Sequence, residues 1–370
     1  MLLYCWKNNK AMPTKMRPRR TNRFRILESL WHTRNRSRAD LARELHLDRS
    51  TVGLLVDQMI DAGMLYEYGA DEPGPRGGRP PILLGIAPRV AYSIGVELTY
   101  PKIRLVAVDM CGTYIGGDEI AVENYGPQAI DTLAVEVARF RTTLDPPFRE
   151  NGIGLVSLGV GVSGQVDAAK QSIEISDALH VRTLLNIVEP LTTVLQVPVT
   201  LLNDAQAAVL RESGVRGAKN LLLIFIEFRP GGTEEDIGIG AGLVMRNELC
   251  YGKPITHLLR PHFRTLVDDP VTAVEELGKS LALVANITGI DEIVLGGDID
   301  GILVPLSQSV ERYSRIDADK TSHEVRVSRI TDGIQAVAFG AAYSSMKFLL
   351  AEHKFPLVRT IEKGHQHVRL

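Results

Sequence analysis

Between residues 22 and 62 apolar side chains recur at three- and four-residue intervals, whereas beyond residue 91 they gather into short dense runs separated by glycine-rich and polar stretches. Phe24, Leu27, Leu30 and Trp31 predict a first amphipathic helix over 22–33. Ser37-Arg38-Ala39-Asp40 reads as a capping box, because the Ser hydroxyl and Asp carboxylate can satisfy orphan amides at the start of a short helix ending at Leu45. After the tight turn His46-Leu47-Asp48, Asp48 is placed to cap a third helix. That helix runs from Arg49 to about Ala62, with Val52, Leu55, Met59 and Ile60 facing inward and Gly63 marking its end. Leu41, Ala42, Leu45, Leu47, Val52 and Leu55 are apolar or small wherever two steeply crossed helices must touch, so the pair predicts a helix-turn-helix. His46 takes the usual turn glycine's place, at a backbone cost of ~1 kcal/mol. Strands at 64–68 and 81–84 flanking the Gly/Pro-rich stretch 71–80 complete a wing.

The remainder predicts strands at 93–98, 103–110, 154–162, 197–202, 221–227, 237–245 and 292–296, and helices at 130–141, 183–195, 205–212, 271–285 and 335–350. Such alternation implies an α/β body in two lobes. The expected boundaries are a disordered basic tail over 1–20, a DNA-binding unit over 21–88, a first lobe over 89–203, a second over 204–334, and a helix over 335–355 that returns to the first lobe.

Composition narrows the class. The chain has 370 residues, 45% hydrophobic and 23% charged, which suits two or three globular units. Its densest apolar run, Leu221 to Ile226, is far too short to cross a bilayer, so no membrane partner is expected. Cys5, Cys111 and Cys250 are odd in number and lack CxxC spacing; they offer no disulfide framework and no thiolate metal site, and a reducing, cytoplasmic setting follows as the expectation.

The net charge of −2 conceals an asymmetry that does bear on function. Residues 1–90 carry 16 Lys and Arg against 9 Asp and Glu, while residues 91–370 carry 26 against 35. A basic helix-turn-helix calls for a polyanion, here a double-stranded DNA operator. The third helix would enter the major groove with Arg49, Ser50 and Thr51 at the base edges. Arg38 would hold a phosphate, and Arg76 and Arg79, in the narrow Arg-Gly-Gly-Arg-Pro loop, would reach an A·T-rich minor groove. A plain interdomain linker is the alternative reading of that loop.

The body resembles the ROK family of sugar kinases and sugar-responsive repressors. The likeness rests on Ser157 to Asp167, Val197 to Ala205, Ile237 to Val244, Ile293 to Asp298 and Ala338 to Ala342, in that order and spacing. It implies an α/β fold in which an N-terminal winged helix-turn-helix precedes a two-lobed actin/hexokinase-like (RNase H-like) domain. By the same resemblance a sugar or sugar derivative binds in the interlobe cleft near Gly164, Asn203 and Asp204, with Asp204 at the position of the sugar-deprotonating carboxylate; an N-terminal cap for the helix at Ala205 is the alternative role for Asp204. The family's phosphate turn, Asp-x-Gly-Gly-Thr-Lys, is replaced by Glu97-Leu98-Thr99-Tyr100-Pro101-Lys102. Bulky residues stand where both glycines belong, and Pro101 removes an amide donor. The family's Gly/Glu/His sugar-gripping segment and zinc loop are missing after Gly252, leaving His257 and His262 as substitute contacts or ordinary surface residues. The sequence thus predicts a carbohydrate-responsive repressor that works as a homodimer or higher homo-oligomer, without enzymatic activity, metal or cofactor. An ATP-dependent sugar kinase with an accessory DNA module is the alternative.

Overall fold

The computed structural model describes residues 21–70, 80–122, 127–148, 153–167, 169–228, 237–250, 259, 269–314, 325–331, 335–352 and 355. The N-terminal unit consists of helices α1 (Asn22–His32), α2 (Arg38–Leu45) and α3 (Arg49–Asp61) and strands β1 (Arg36–Ser37), β2 (Leu65–Ala70) and β3 (Ile82–Ile86). The capping box forms: Ser37 Oγ accepts from Asp40 N at 3.2 Å, and Asp40 Oδ2 accepts from Ser37 N at 3.1 Å. His46 closes α2 with φ 52°, the left-handed conformation that the turn requires.

Two expectations are corrected. Asp48 precedes α3 without a side-chain cap bond. Val56, with Val52 and Met59, fills the inner face, while Leu55 and Ile60 are only half-buried, since the helical phase set by Val52 carries Val56 rather than Leu55 inward. The wing is a three-stranded antiparallel sheet ordered β1-β3-β2, and its two-residue β1 is too short to show any sequence periodicity.

The body repeats one topology twice. Strands β4 (Ala91–Leu98), β5 (Lys102–Asp109), β6 (Tyr114–Ala121), β7 (Gly154–Val162) and β11 (Val199–Asn203) make a five-stranded sheet ordered β11-β7-β4-β5-β6. The second sheet, ordered β14-β13-β12-β15-β16, uses β12 (Leu221–Phe228), β13 (Ile237–Met245), β14 (Glu248–Cys250), β15 (Glu292–Gly297) and β16 (Arg326–Arg329). In both, an antiparallel meander of three strands is followed by two strands parallel to the first. Helices α4 (Pro127–Leu144) and α5 (Val188–Leu195) serve the first sheet as crossovers, and α7 (Pro270–Thr288) and α8 (Leu303–Ser314) serve the second. A small sheet of β8 (Gln165–Asp167), β9 (Ser172–Ile175) and β10 (Leu185–Asn186) precedes α5. Expected from Thr183, α5 begins instead at Val188, because Pro190 has no amide to donate and is tolerated only in a first turn.

Helices α6 (Asp204–Arg216) and α9 (Ala336–Ala351) lie between the sheets. The contact between α9 and the first sheet is backbone-close. A Cβ on Gly95 would lie 1.8 Å from Ala338 O, and one on Gly159 1.9 Å from Ala341 O, so only glycine admits the helix there. Ser345 Oγ meets Ser93 Oγ at 2.5 Å and Ser157 Oγ at 3.0 Å, which satisfies three buried hydroxyls at once.

The far end of α9 reaches the winged unit. Met346, Leu349 and Leu350 share one buried cluster with Ile26, Leu27, Leu30, Met59, Leu65 and Leu84. Trp31 stacks on Tyr343 at 5.0 Å and donates from Nε1 to Met110 O at 2.9 Å. The winged unit is therefore packed onto the body by a common core.

Candidate functional site

Two surfaces bear on function. On the first, α3 turns Val52, Val56 and Met59 into the core, and its helical phase leaves Arg49, Ser50, Leu54 and Asp57 exposed on the opposite side, with Thr51 at the margin. Arg38, at the first position of α2, is already engaged: it donates to Asp57 Oδ1 at 2.6 Å and also pairs with Glu67 on β2. It cross-braces α2, α3 and the wing, and a phosphate at Arg38 would have to compete with those two carboxylates. Arg76 and Arg79 lie outside the described residues, between the strands that bracket their loop. Leu54 and the Asp57–Glu67 pair were not singled out in the sequence, although the spacing of Val52, Val56 and Met59 contains the signal that places Leu54 outward.

The second surface is the cleft between the sheets, a cavity of about 340 Å³ lined by Glu97, Asp204, Phe225, Glu227, Gly296, Gly297, Arg329 and Val337 among others. Gly164, Asn203 and Asp204 come together at its edge. Asn203 Nδ2 donates to Gly164 O at 2.6 Å, and its Oδ1 accepts from Ala205 N at 3.0 Å, capping α6. Gly164 sits at φ 135°, and a Cβ there would lie 2.3 Å from Ile175 O. Both Asn203 amide atoms are thus spent on the scaffold. Of the three residues, Asp204 alone lines the cavity.

The cleft is acidic. Asp204 Oδ1 accepts from Ala205 N at 2.7 Å, yet its pKa is pushed up to about 7, first by burial and then by the charges of Glu227 and Glu97; the Ala205 amide and the Ser163 hydroxyl oppose the shift. Burial also raises Glu97, against the pull of Arg104 at 2.9 Å. Arg329, the cation among the described residues of the wall, is paired with Asp300. A carboxyl poised between its two protonation states can accept from or donate to a ligand hydroxyl, whereas three clustered acids disfavour a phosphorylated ligand. Glu97 and Glu227 were missed as cleft residues because only the facing of two separate sheets, one carrying β4 and the other β12, brings them to Asp204. His257 and His262 lie outside the described residues, and among the described ones no cluster of three or more His, Cys, Asp or Glu is arranged to hold a metal.

A family profile described as ROK matches residues 93–258, and one described as MarR matches residues 21–68. The chain carries a ROK-family domain behind a MarR-type winged helix. Among curated relatives, a xylose repressor of Staphylococcus xylosus is 23% identical over 234 residues, 62% of this chain and 57% of that repressor. The xylose repressor of Bacillus subtilis is 24% identical over 235 residues, 63% of this chain and 58% of the relative. The matched part of the chain thus spans little more than half the length of either repressor. In fold it is similar to a ROK family transcriptional regulator described as a homologue of the E. coli MLC protein, with a TM-score of 0.65, 18% identity, and coverage of 92% of this chain and 98% of that one. A ROK hexokinase from Thermus thermophilus, with a TM-score of 0.53, 18% identity, and coverage of 70% and 99%, shares the body. The expected class, an α/β winged helix-turn-helix followed by a two-lobed actin/hexokinase-like ROK domain, is the fold observed. Among the described residues no helix is long and apolar enough to cross a membrane.

Proposed function

We propose that this protein is a DNA-binding repressor of carbohydrate-metabolism genes, cytoplasmic and homodimeric, whose ROK domain senses a neutral sugar and does not transfer phosphate. The observation that carries the reading is the exposed N-terminal face of α3, with Arg49, Ser50 and Thr51 on a winged unit that shares its core with the sensor domain. Arg76 and Arg79 would add minor-groove contacts, and a twofold arrangement would place two such units on half-sites about one duplex turn (~34 Å) apart. The relatives' names make xylose the first effector to try in the cleft, where Asp204 would meet a sugar hydroxyl.

Three features argue against kinase activity: the glycine-free turn at Thr99, Tyr100 and Pro101, the acidity of the cleft, and the engagement of Arg329 with Asp300. The near-neutral Asp204 is the one feature that suits a general base, so an ADP-release assay across hexoses and pentoses separates the readings; turnover abolished by Asp204→Asn would make the protein an enzyme. The DNA half is tested by fluorescence anisotropy on genomic fragments selected by the full chain. Several phosphate contacts require log K to fall with log salt at about −0.9 per contact. Affinity that stays flat with salt refutes groove binding.

A further inference from the structure

The outward face of α3 is polar except at one place. Leu54 is 60% exposed, between Ser50 one turn before it and Asp57 nearly one turn after. Among the described residues, Gly53 beside it has nothing within 4 Å of the position a Cβ would take, so that side of Leu54 is open to a ligand from outside them. Downstream the face becomes acidic: Asp57 and Asp61 are exposed, and Asp57 is half of the pair that holds Arg38. Carboxylates repel phosphate and offer acceptors where most major-groove atoms are also acceptors. Close approach to DNA is therefore confined to the first turn and a half of α3, residues 49–54, and Leu54 closes that window.

Within the major groove the base edges present donors, acceptors and one apolar group, the 5-methyl of thymine. A branched aliphatic side chain in that groove gains by covering the methyl and loses by covering an unsatisfied donor or acceptor. We infer that Leu54 reads the 5-methyl group of a thymine in each operator half-site. The inference rests on the DNA-binding reading above and adds to it a base, a group on that base and the residue that selects it. Arg49 and Ser50, one turn earlier, read the hydrogen-bonding edges of adjacent pairs.

The test replaces thymine by deoxyuridine, which removes the methyl and nothing else. A duplex selected by the full-length protein from a random pool is resynthesised with each thymine replaced singly, and affinities are measured at one salt concentration. One position per half-site should lose about fourfold, the equivalent of about 0.8 kcal/mol for one buried methyl. Leu54→Ala should weaken binding to the thymine duplex and abolish the uracil penalty at that position alone. Because Leu54 is exposed, its truncation leaves the core intact, and melting temperature with retained binding to unselected DNA confirms a folded variant. A pool selected with Leu54→Gln should no longer favour thymine there. Uracil tolerated at every position, or an equal uracil penalty in wild type and Leu54→Ala, overturns the assignment while leaving DNA binding standing. Failure of the wild-type chain to enrich any duplex overturns both.

Discussion

Asp204→Asn removes a charge that the fold resists. The carboxyl has an unfolded-state pKa near 3.8 and a folded-state value of about 7, so the native protein binds its proton more tightly than the unfolded chain does. A raised acid of this kind costs nothing below pH ~4. Its penalty grows as pH rises towards 7 and is constant above. About three pKa units at 1.36 kcal/mol each set a ceiling near 4 kcal/mol, and access of cleft water to the carboxylate reduces this to about 2 kcal/mol. Asparagine keeps the acceptor for the Ala205 amide and cannot ionise, and it spares Glu97 and Glu227 a like charge. The variant should therefore be more stable than wild type by about 2 kcal/mol at pH 8, a rise of about 3 to 5 °C in melting temperature for a body of this size, with a smaller advantage at pH 5. Thermal melts of both proteins at the two pH values, in one salt concentration, measure the difference directly, since every other titrating group is common to both. Equal gains at pH 5 and pH 8, or a wild type that is more stable at pH 8, would mean that Asp204 ionises like a surface carboxylate and that the cleft is wetter than its geometry implies.

Other predictions concern the scaffold. Glu212 on α6 is fully buried and accepts from Arg211 Nη1 at 2.7 Å, Arg216 Nε at 2.8 Å and Thr331 N at 3.2 Å; Glu212→Gln removes the buried charge at the centre of this network, although Arg216 keeps Glu292, and should cost about 3 kcal/mol, read as the shift in urea midpoint. His46→Gly relieves a left-handed histidine and should raise stability by up to ~1 kcal/mol, offset in part by the greater freedom of glycine in the unfolded chain, with no change in DNA affinity. Ser37→Ala breaks the capping box at α2 and should cost about 1 kcal/mol, detected as earlier melting of the winged unit.

Much of this architecture was legible in the sequence where local chemistry and tertiary packing agree. The Ser37 to Asp40 box is one such place, and the strands at Gly154–Val162 and Ile237–Met245 are others, their apolar and glycine-rich runs matching the observed bounds. What escaped had weak local patterns. Strand β6 (Tyr114–Ala121) is an edge strand of largely exposed side chains and lacks an apolar run. Helix α8 carries Pro305 in its first turn, and β1 is two residues long. Within the cleft, Asn203 and Asp204 were visible as a pair at a strand end. Glu97, Glu227 and Arg329 come from three other strands, and no spacing rule relates residues so far apart in sequence. The arrest of Arg38 by Asp57 and Glu67 was hidden for the same reason, since it depends on the wing folding back across α3.

On the proposed function, the placement of α6 and α9 gives a sugar in the cleft a route to α3. Asp204 stands at the first residue of α6, while Arg211, Gly214 and Val215 near its other end line a crevice against Trp31, Tyr66 and Tyr68 of the winged unit. Val337, at the start of α9, lines the cleft, and Met346, Leu349 and Leu350 near its end are buried with the winged unit's core. Two helices of about 20 and 24 Å thus connect the two surfaces, each with one end at the cleft and the other at the winged unit. Helices gripped by glycine-close contacts and a buried ion network do not bend gradually; a displacement at the cleft is carried as a rigid-body shift or not at all. On the proposed reading, a ligand that favours one separation of the sheets by a few kcal/mol would bias the orientation of α3 by at most that amount, and reciprocity would require operator DNA to alter sugar affinity by the same factor as the sugar alters DNA affinity.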